Sequence, residues 1–332
     1  MIFKRHTFQY KTNAATTFIG RRRNEFIRLF NGFRRFIFDG FTKLAYSMNL
    51  IAYCITIVAL SFSLSAHADA VREPSPVKER DSQCEDKVAI PSVFDAAQVI
   101  FFGEIHGTQE SPKLVTDVLC DLLTKGHTVL LGVEIPSNEQ ARLDTYMHGN
   151  GTKDELEKML NSPFWTSNRH DGRSSQAVLS LIEMSRVLAK VTKQLRVIAF
   201  APHQQEANYD ESMANLVQSS INKNSREKIL ILTGNYHASR SVGTLWDPSF
   251  KPMAYYFKNF NTVSIRIEHR RGSAWNCVPT CGVQNLLDYV EKSKQPLGFT
   301  VFNELINGFD AEYLNESASA SFPAVRNKEN SQ

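Results

Sequence analysis

Short apolar runs alternate with helical patterns along most of this chain, and almost every run ends in polar residues. Val99-Ile100-Phe101-Phe102 stops at Gly103. Thr128 to Val133 is a second run, Leu195 to Phe200 a third and Lys228 to Leu232 a fourth. Runs of this length bounded by turn residues read as buried strands. Between the first two, Leu114, Val118 and Leu122 recur at helical spacing. Ser111-Pro112 offers a cap and a first-turn proline there, and Gly126 a stop. Strands separated by helices imply βαβ units, hence an α/β fold with a mostly parallel β-sheet flanked by helices. Tyr209–Ile221 reads as a further helix, and Met253–Phe257 and Val263–Ile267 as further strands, with Phe302 ending another. The stretch from Ile135 to Gln194 holds three helical patterns, 138–147, 154–160 and 175–190. That is too much for one crossover. The first two predict a small all-helical insert, at about 137–175, over the carboxyl edge of the sheet.

Charge divides the chain. The whole carries 38 Lys/Arg and 34 Asp/Glu, a net of +4. Residues 1–68 hold ten bases and only two acids, so the remaining 28 bases and 32 acids leave a net of −4. The basic part leads into LIAYCITIVALSFSLSA, residues 50–66, which is uncharged and ends in Ala66-His67-Ala68. A basic stretch, an apolar run and a small-x-small ending read as a signal peptide cleaved after Ala68. The run also reaches the lower edge of a membrane span, so an uncleaved leader would be the chain's one contact with a membrane. Either reading exports the rest to the periplasm or beyond. Residues 69–90 read as a flexible lead-in, 91–314 as the α/β domain and 315–332 as a polar tail that frays. Export leaves four cysteines of the five, Cys84, Cys120, Cys277 and Cys281. An even number in an oxidising compartment predicts disulfides, with Cys277 to Cys281 as a local loop and Cys84 to Cys120 as its complement. The acidic exported part has no basic stripe, which argues against a nucleic-acid partner.

In a parallel sheet the carboxyl ends of the strands share one edge, and that edge is where open α/β sheets bind ligands. Packing does not need the residues found there. Glu104 and His106 follow the first run, and Glu134 ends the second. His203 follows the third, and Asn235, Tyr236 and His237 the fourth. Glu104, His106, Glu134 and His237 therefore converge, as catalytic groups or as ligands of a divalent metal. One His would act as general base for water, with the carboxylates orienting it. Asp171-Gly172-Arg173-Ser174-Ser175 reads equally as a capping loop and as an anion-binding turn with Arg173 over the site. His203, Asn235 and Tyr236 are candidate ligand-binding residues. GxSxG, Walker and GxGxxG patterns are absent from the sequence.

Gly103-Glu104-Ile105-His106-Gly107 resembles the GExHG signature of the erythromycin esterase, ChaN and Tiki superfamily, which includes haem-binding uptake proteins. Glu134 matches its second acidic position, and Gly234-Asn235-Tyr236-His237 its later G-x-x-H. Tyr209-Asp210-Glu211-Ser212-Met213-Ala214 is similar to its R-D/E-x-x-M-A helix but has Tyr209 where the family has Arg. The resemblance spans about residues 95–270. It implies one of three activities: ester hydrolysis with His and Glu, metal-dependent proteolysis, or haem or iron binding with Tyr236, Tyr209 or a His as ligand. A small-molecule or peptide substrate, or haem, is then the expected partner.

Overall fold

The computed structural model describes residues 84, 88–203, 208–222, 226–286 and 294–325. The leader, its cleavage site and most of the lead-in lie outside the described residues. The four apolar runs are strands: β1 (Val99–Glu104), β2 (Val129–Pro136), β3 (Leu195–Ala201) and β4 (Lys228–Gly234). With β5 (Thr262–His269), β8 (Gly298–Ile306) and β9 (Phe309–Asn315) they form one sheet in the order β3-β2-β4-β1-β5-β9-β8. Every neighbouring pair is parallel except the β8–β9 hairpin at one edge. The two strands β6 (Gly272–Cys277) and β7 (Cys281–Leu286) make a separate antiparallel hairpin.

β1 is buried throughout, and its alternate side chains serve two cores. Ile100 and Phe102 pack toward α1 (Glu110–Thr124) and α5 (Gln176–Thr192). Val99 and Phe101 pack toward α6 (Tyr209–Ser220), α7 (Asn235–Ala238) and the short helix Met253–Phe257. A sheet covered on both faces needs continuous apolar strands, which is why the runs do not alternate. Each fully buried Leu, Ile or Phe contributes about 1.5–3 kcal/mol to that arrangement.

Three short helices, α2 (Gln140–His148), α3 (Lys153–Leu160) and α4 (Pro163–Thr166), lie between β2 and α5, and α2 packs on α5 and β3. A capping box at Thr152 and Glu155 starts α3. Cys84 is bonded to Cys120 of α1, and Cys277 to Cys281 at the turn of the β6–β7 hairpin. Among the described residues no helix is long and apolar enough to cross a membrane.

Three expectations give way. Met253–Phe257 is a 3₁₀ helix and not a strand; it sets Phe257 edge-on against Phe101 of β1 with centroids 5.1 Å apart. A short apolar run cannot by its period distinguish the two. The first helix starts at Glu110, so Ser111 lies inside it, buried and bonded to Thr108, instead of capping it. The segment after β9 does not fray up to residue 325: Ala318, Ala320 and Ser321 are buried against the rest of the domain.

Candidate active site

The strand order assembles the site. The chain leaves β1, skips one place to lay down β2, and returns to fill the gap with β4. Glu104 at the end of β1 is then in register with Gly234 at the end of β4. Glu134 on β2 reaches the same point from the other side of β4. Its Oε2 accepts hydrogen bonds from Thr233 Oγ1 at 2.6 Å and from the Gly234 amide at 2.9 Å.

His106 stands in the turn after β1. Its Nδ1 lies 3.0 Å from Glu104 Oε1 and its Nε2 lies 3.5 Å from Glu134 Oε2. The turn is held by Gly107, whose φ of +81° suits glycine and whose missing Cβ would lie 1.9 Å from the Trp275 carbonyl oxygen. His237 enters from α7. A Cβ on Gly234 would sit 3.1 Å from His106 Nε2 and 3.5 Å from His237 Cδ2, so the two imidazoles flank one glycine. His237 donates from Nδ1 to Asp210 Oδ1 at 2.8 Å, and the Met253 amide fixes that same oxygen at 2.7 Å. Among the described residues nothing bonds His237 Nε2. Arg173 donates to both oxygens of Asp171 and, over 3.4 Å, to Glu134 Oε1.

Burial and the pairings compete to set the electrostatics, and which one wins differs from group to group. Burial opposes charge on His106, yet the Glu134 carboxylate and then the bond to Glu104 lift its pKa to about 9. Burial would likewise raise Glu134, but His106, His237 and Arg173 hold it down at about 2. Burial pushes Glu104 up, and the His106 bond offsets this only in part. His237 is raised: burial works against its charge, and the Asp210 bond and the Glu134 charge outweigh burial. Tyr209 is raised by burial and then by Glu134. These shifts favour an imidazolium at His106 and a carboxylate at Glu134 at neutral pH.

Glu104, His106, Glu134, His237 and Arg173 thus meet at one edge. Arg173 is committed to two carboxylates, which fits anchoring Glu134 better than seizing a free anion. Asn235 opens α7 beside Gly103, with its Oδ1 buried and without a partner among the described residues. Tyr236 points outward, 59% exposed, edge-on to Trp246 at 4.7 Å. His203 is exposed beyond β3, which two strands separate from β1 in the sheet, and no described hydrogen bond joins it to the cluster. Asp210 and Thr233 complete the site without having been singled out from residue type, and Asp171 enters from the loop already read around Arg173. Asp210 had one signal, its place in the motif shared by the Tyr209 helix.

The four residues considered as metal ligands are engaged with one another and with Asp210. Among the described residues no three His, Cys, Asp or Glu side chains converge to hold an ion. Both nitrogens of His106 face carboxylates, and Asp210 occupies Nδ1 of His237.

No family model matches this sequence, and no curated protein matches it. Solved structures do. A variant of the erythromycin esterase EreC in its open conformation aligns over 71% of this chain and 94% of its own, at 10% identity and TM-score 0.54. A succinoglycan biosynthesis protein aligns over 70% and 90%, at 10% identity and TM-score 0.51. A ChaN of Campylobacter jejuni, solved with cofacial haem, aligns over 52% and 82%, at 14% identity and TM-score 0.30. The chain shares the erythromycin esterase fold, the fold its motifs pointed to.

Proposed function

We propose that this chain is an exported hydrolase that activates water on an ester or amide, in a small molecule or a peptide. The observation that carries this reading is the asymmetry of the two imidazoles flanking Gly234. His106 has carboxylates at both nitrogens and is held protonated, so it is a fixed positive charge and a poor base. His237 has Asp210 at Nδ1 and an unbonded Nε2. A histidine oriented through Nδ1 by a buried carboxylate presents Nε2 as general base, and the carboxylate stabilises the imidazolium that forms. The base takes a proton from water as water attacks the carbonyl carbon, and returns it to the leaving group. His106, as an imidazolium beside the same glycine, faces the negative charge that grows on the carbonyl oxygen. Glu104 and Glu134 keep His106 charged, and Arg173 keeps Glu134 in place. Two disulfides support an oxidising compartment, and the basic leader supports export.

The test uses the purified protein with panels of aryl esters and peptides, and haemin in parallel. Hydrolysis by the parent, lost in His237→Ala and in Glu134→Gln, is the expected result. Full hydrolysis in both variants overturns the reading. A haemin Soret shift lost in His237→Ala, with no hydrolysis by the parent, replaces it with a haem-binding function.

A further inference from the structure

The segment after β9 crosses both loops that carry the site. Ala318 bridges to Gly272, Ala320 to Thr108 and Pro323 to Ser175. The Gln109 amide donates to Ser319 O at 2.9 Å, next to His106's turn. The Ala324 amide donates to Ser174 O at 2.9 Å, next to Arg173. Phe322 lies over Trp275 with centroids 5.3 Å apart, and Trp275 in turn donates its backbone N–H to Gly107 O.

Ser321 is the pivot. It is 2% exposed. Its amide donates to Gly107 O at 2.7 Å, and its Oγ accepts from the Ala177 amide at 2.9 Å. The first N–H groups of a helix have no partner within it. In α5 the Gln176 amide goes to Phe322 O at 2.8 Å, the Ala177 amide to Ser321 Oγ, and the Val178 amide to Ser175 Oγ at 3.4 Å. Two of these three orphan donors are therefore capped from a segment more than 140 residues further along the chain. Arg173 lies three residues before this helix start. A Cβ on Gly172 would lie 2.5 Å from the Gly107 amide nitrogen, so the Arg173 loop and the His106 turn already touch. The strap fastens that contact from outside.

We propose that residues 318–324 are a positioning strap for the site, in which Ser321 fixes the His106 turn against the capped start of α5 and so sets His106, Glu134 and Arg173 relative to one another. Serine suits the position because its short side chain places a hydroxyl acceptor at the Ala177 amide while its backbone N–H reaches Gly107 O. Ser321 touches no substrate in this scheme; it acts through Gly107 and Ala177. The activity arm of the test rests on the hydrolase reading, and the spectroscopic arm does not.

The full chain is compared with Ser321→Ala, Ser321→Thr and Ala177→Pro. The last removes the donor instead of the acceptor, in the first helical turn where proline is tolerated. Well below the melting temperature, Ser321→Ala and Ala177→Pro are expected to lower kcat about ten-fold with KM unchanged. Misplacement of a catalytic group by about 1 Å costs on the order of 100-fold, so a partial displacement is the effect sought. Ser321→Thr keeps the parent rate. By NMR the His106 imidazole and Arg173 Nε–H signals shift in the first two variants and stay in place in Ser321→Thr. Parent kcat together with unmoved His106 and Arg173 signals in both Ser321→Ala and Ala177→Pro overturns the strap, even if both variants melt earlier. A parent protein without hydrolysis overturns the hydrolase reading alone, because the NMR signals still decide the strap.

Discussion

Glu134→Gln is the substitution whose consequences can be worked furthest from the structure. The carboxylate meets four groups: Thr233 Oγ1, the Gly234 amide, His106 Nε2 at 3.5 Å and Arg173 Nη1 at 3.4 Å. Glutamine keeps an acceptor for the first two and loses the charge that faces the others. Its NH₂ group, turned toward Arg173 and His106, would set donor against donor. The coupling shows in His106, lifted from 6.5 to about 9, and in Glu134, lowered from 4.5 to about 2. At ~1.4 kcal/mol per pKa unit, either displacement corresponds to about 3 kcal/mol. The two views describe largely one interaction, so it is counted once. The sign follows from linkage. His106 has a raised pKa, so its stabilisation is complete below pH 6.5 and is lost as pH rises through about 9. Glu134 has a lowered pKa, so its stabilisation is present above pH 4.5 and is lost as pH falls through about 2. The parent is expected to lose about 3 kcal/mol between pH 6.5 and the alkaline side of 9, and Glu134→Gln to show a much shallower slope there. At pH 6 the variant should melt roughly 6–12 °C lower, at about 2–4 °C per kcal/mol for a domain of this size. The assay is chemical and thermal unfolding against pH, with an NMR titration of His106 in both proteins. A parent His106 that titrates near 6.5, or one near 9 that Glu134→Gln leaves unmoved, refutes the reasoning.

Other substitutions probe other contacts. Asp210→Asn removes the carboxylate that raises His237, so the acid limb of the kcat/KM profile should move to lower pH while the plateau falls by roughly 10²–10⁴; an unmoved limb would exclude His237 as the base. Gly234→Ala places a Cβ 3.1 Å from His106 Nε2 on a backbone with an ordinary φ of −61°. Hydrolysis should fall while the melting temperature changes little, and equal loss of both would show the glycine to be needed for the fold instead. Cys84→Ser with Cys120→Ser opens a bridge spanning 36 residues and should cost about 2–4 kcal/mol in denaturant unfolding, most of it through the unfolded chain.

The parallel sheet was legible because strands buried on both faces must be continuously apolar, as 99–102, 129–133 and 229–232 are, while the edge strand β3 carries an exposed Arg196 within its apolar run. The edge of the sheet was legible for the same reason: Glu104, Glu134 and His237 have no packing role where an apolar run ends. The strand order was not. Nothing in the residues of β4 says that it slips between β1 and β2, yet that placement is what brings Glu134 and Glu104 to Gly234. Asp210 was hard to see because a carboxylate in the first turn of a helix is ordinary there on electrostatic grounds alone. Its partners, His237 and the Met253 amide, lie 27 and 43 residues away. Arg173 was visible as a candidate, but its commitment to Asp171 and Glu134 depends on side-chain geometry that spacing does not carry. The tail misled because it is polar and rich in small residues. Ala318, Ala320 and Ser321 bury little apolar surface, and their contribution is backbone hydrogen bonds, which leave almost no trace in composition.

The most direct measurement is the hydrolysis rate of the purified chain on the ester and amide panels, set beside His237→Ala. Release of product by the parent, reduced to background in a folded His237→Ala protein, is the predicted result. Equal rates in the two proteins would contradict the assignment of the base and, with it, the proposed function of this edge of the sheet.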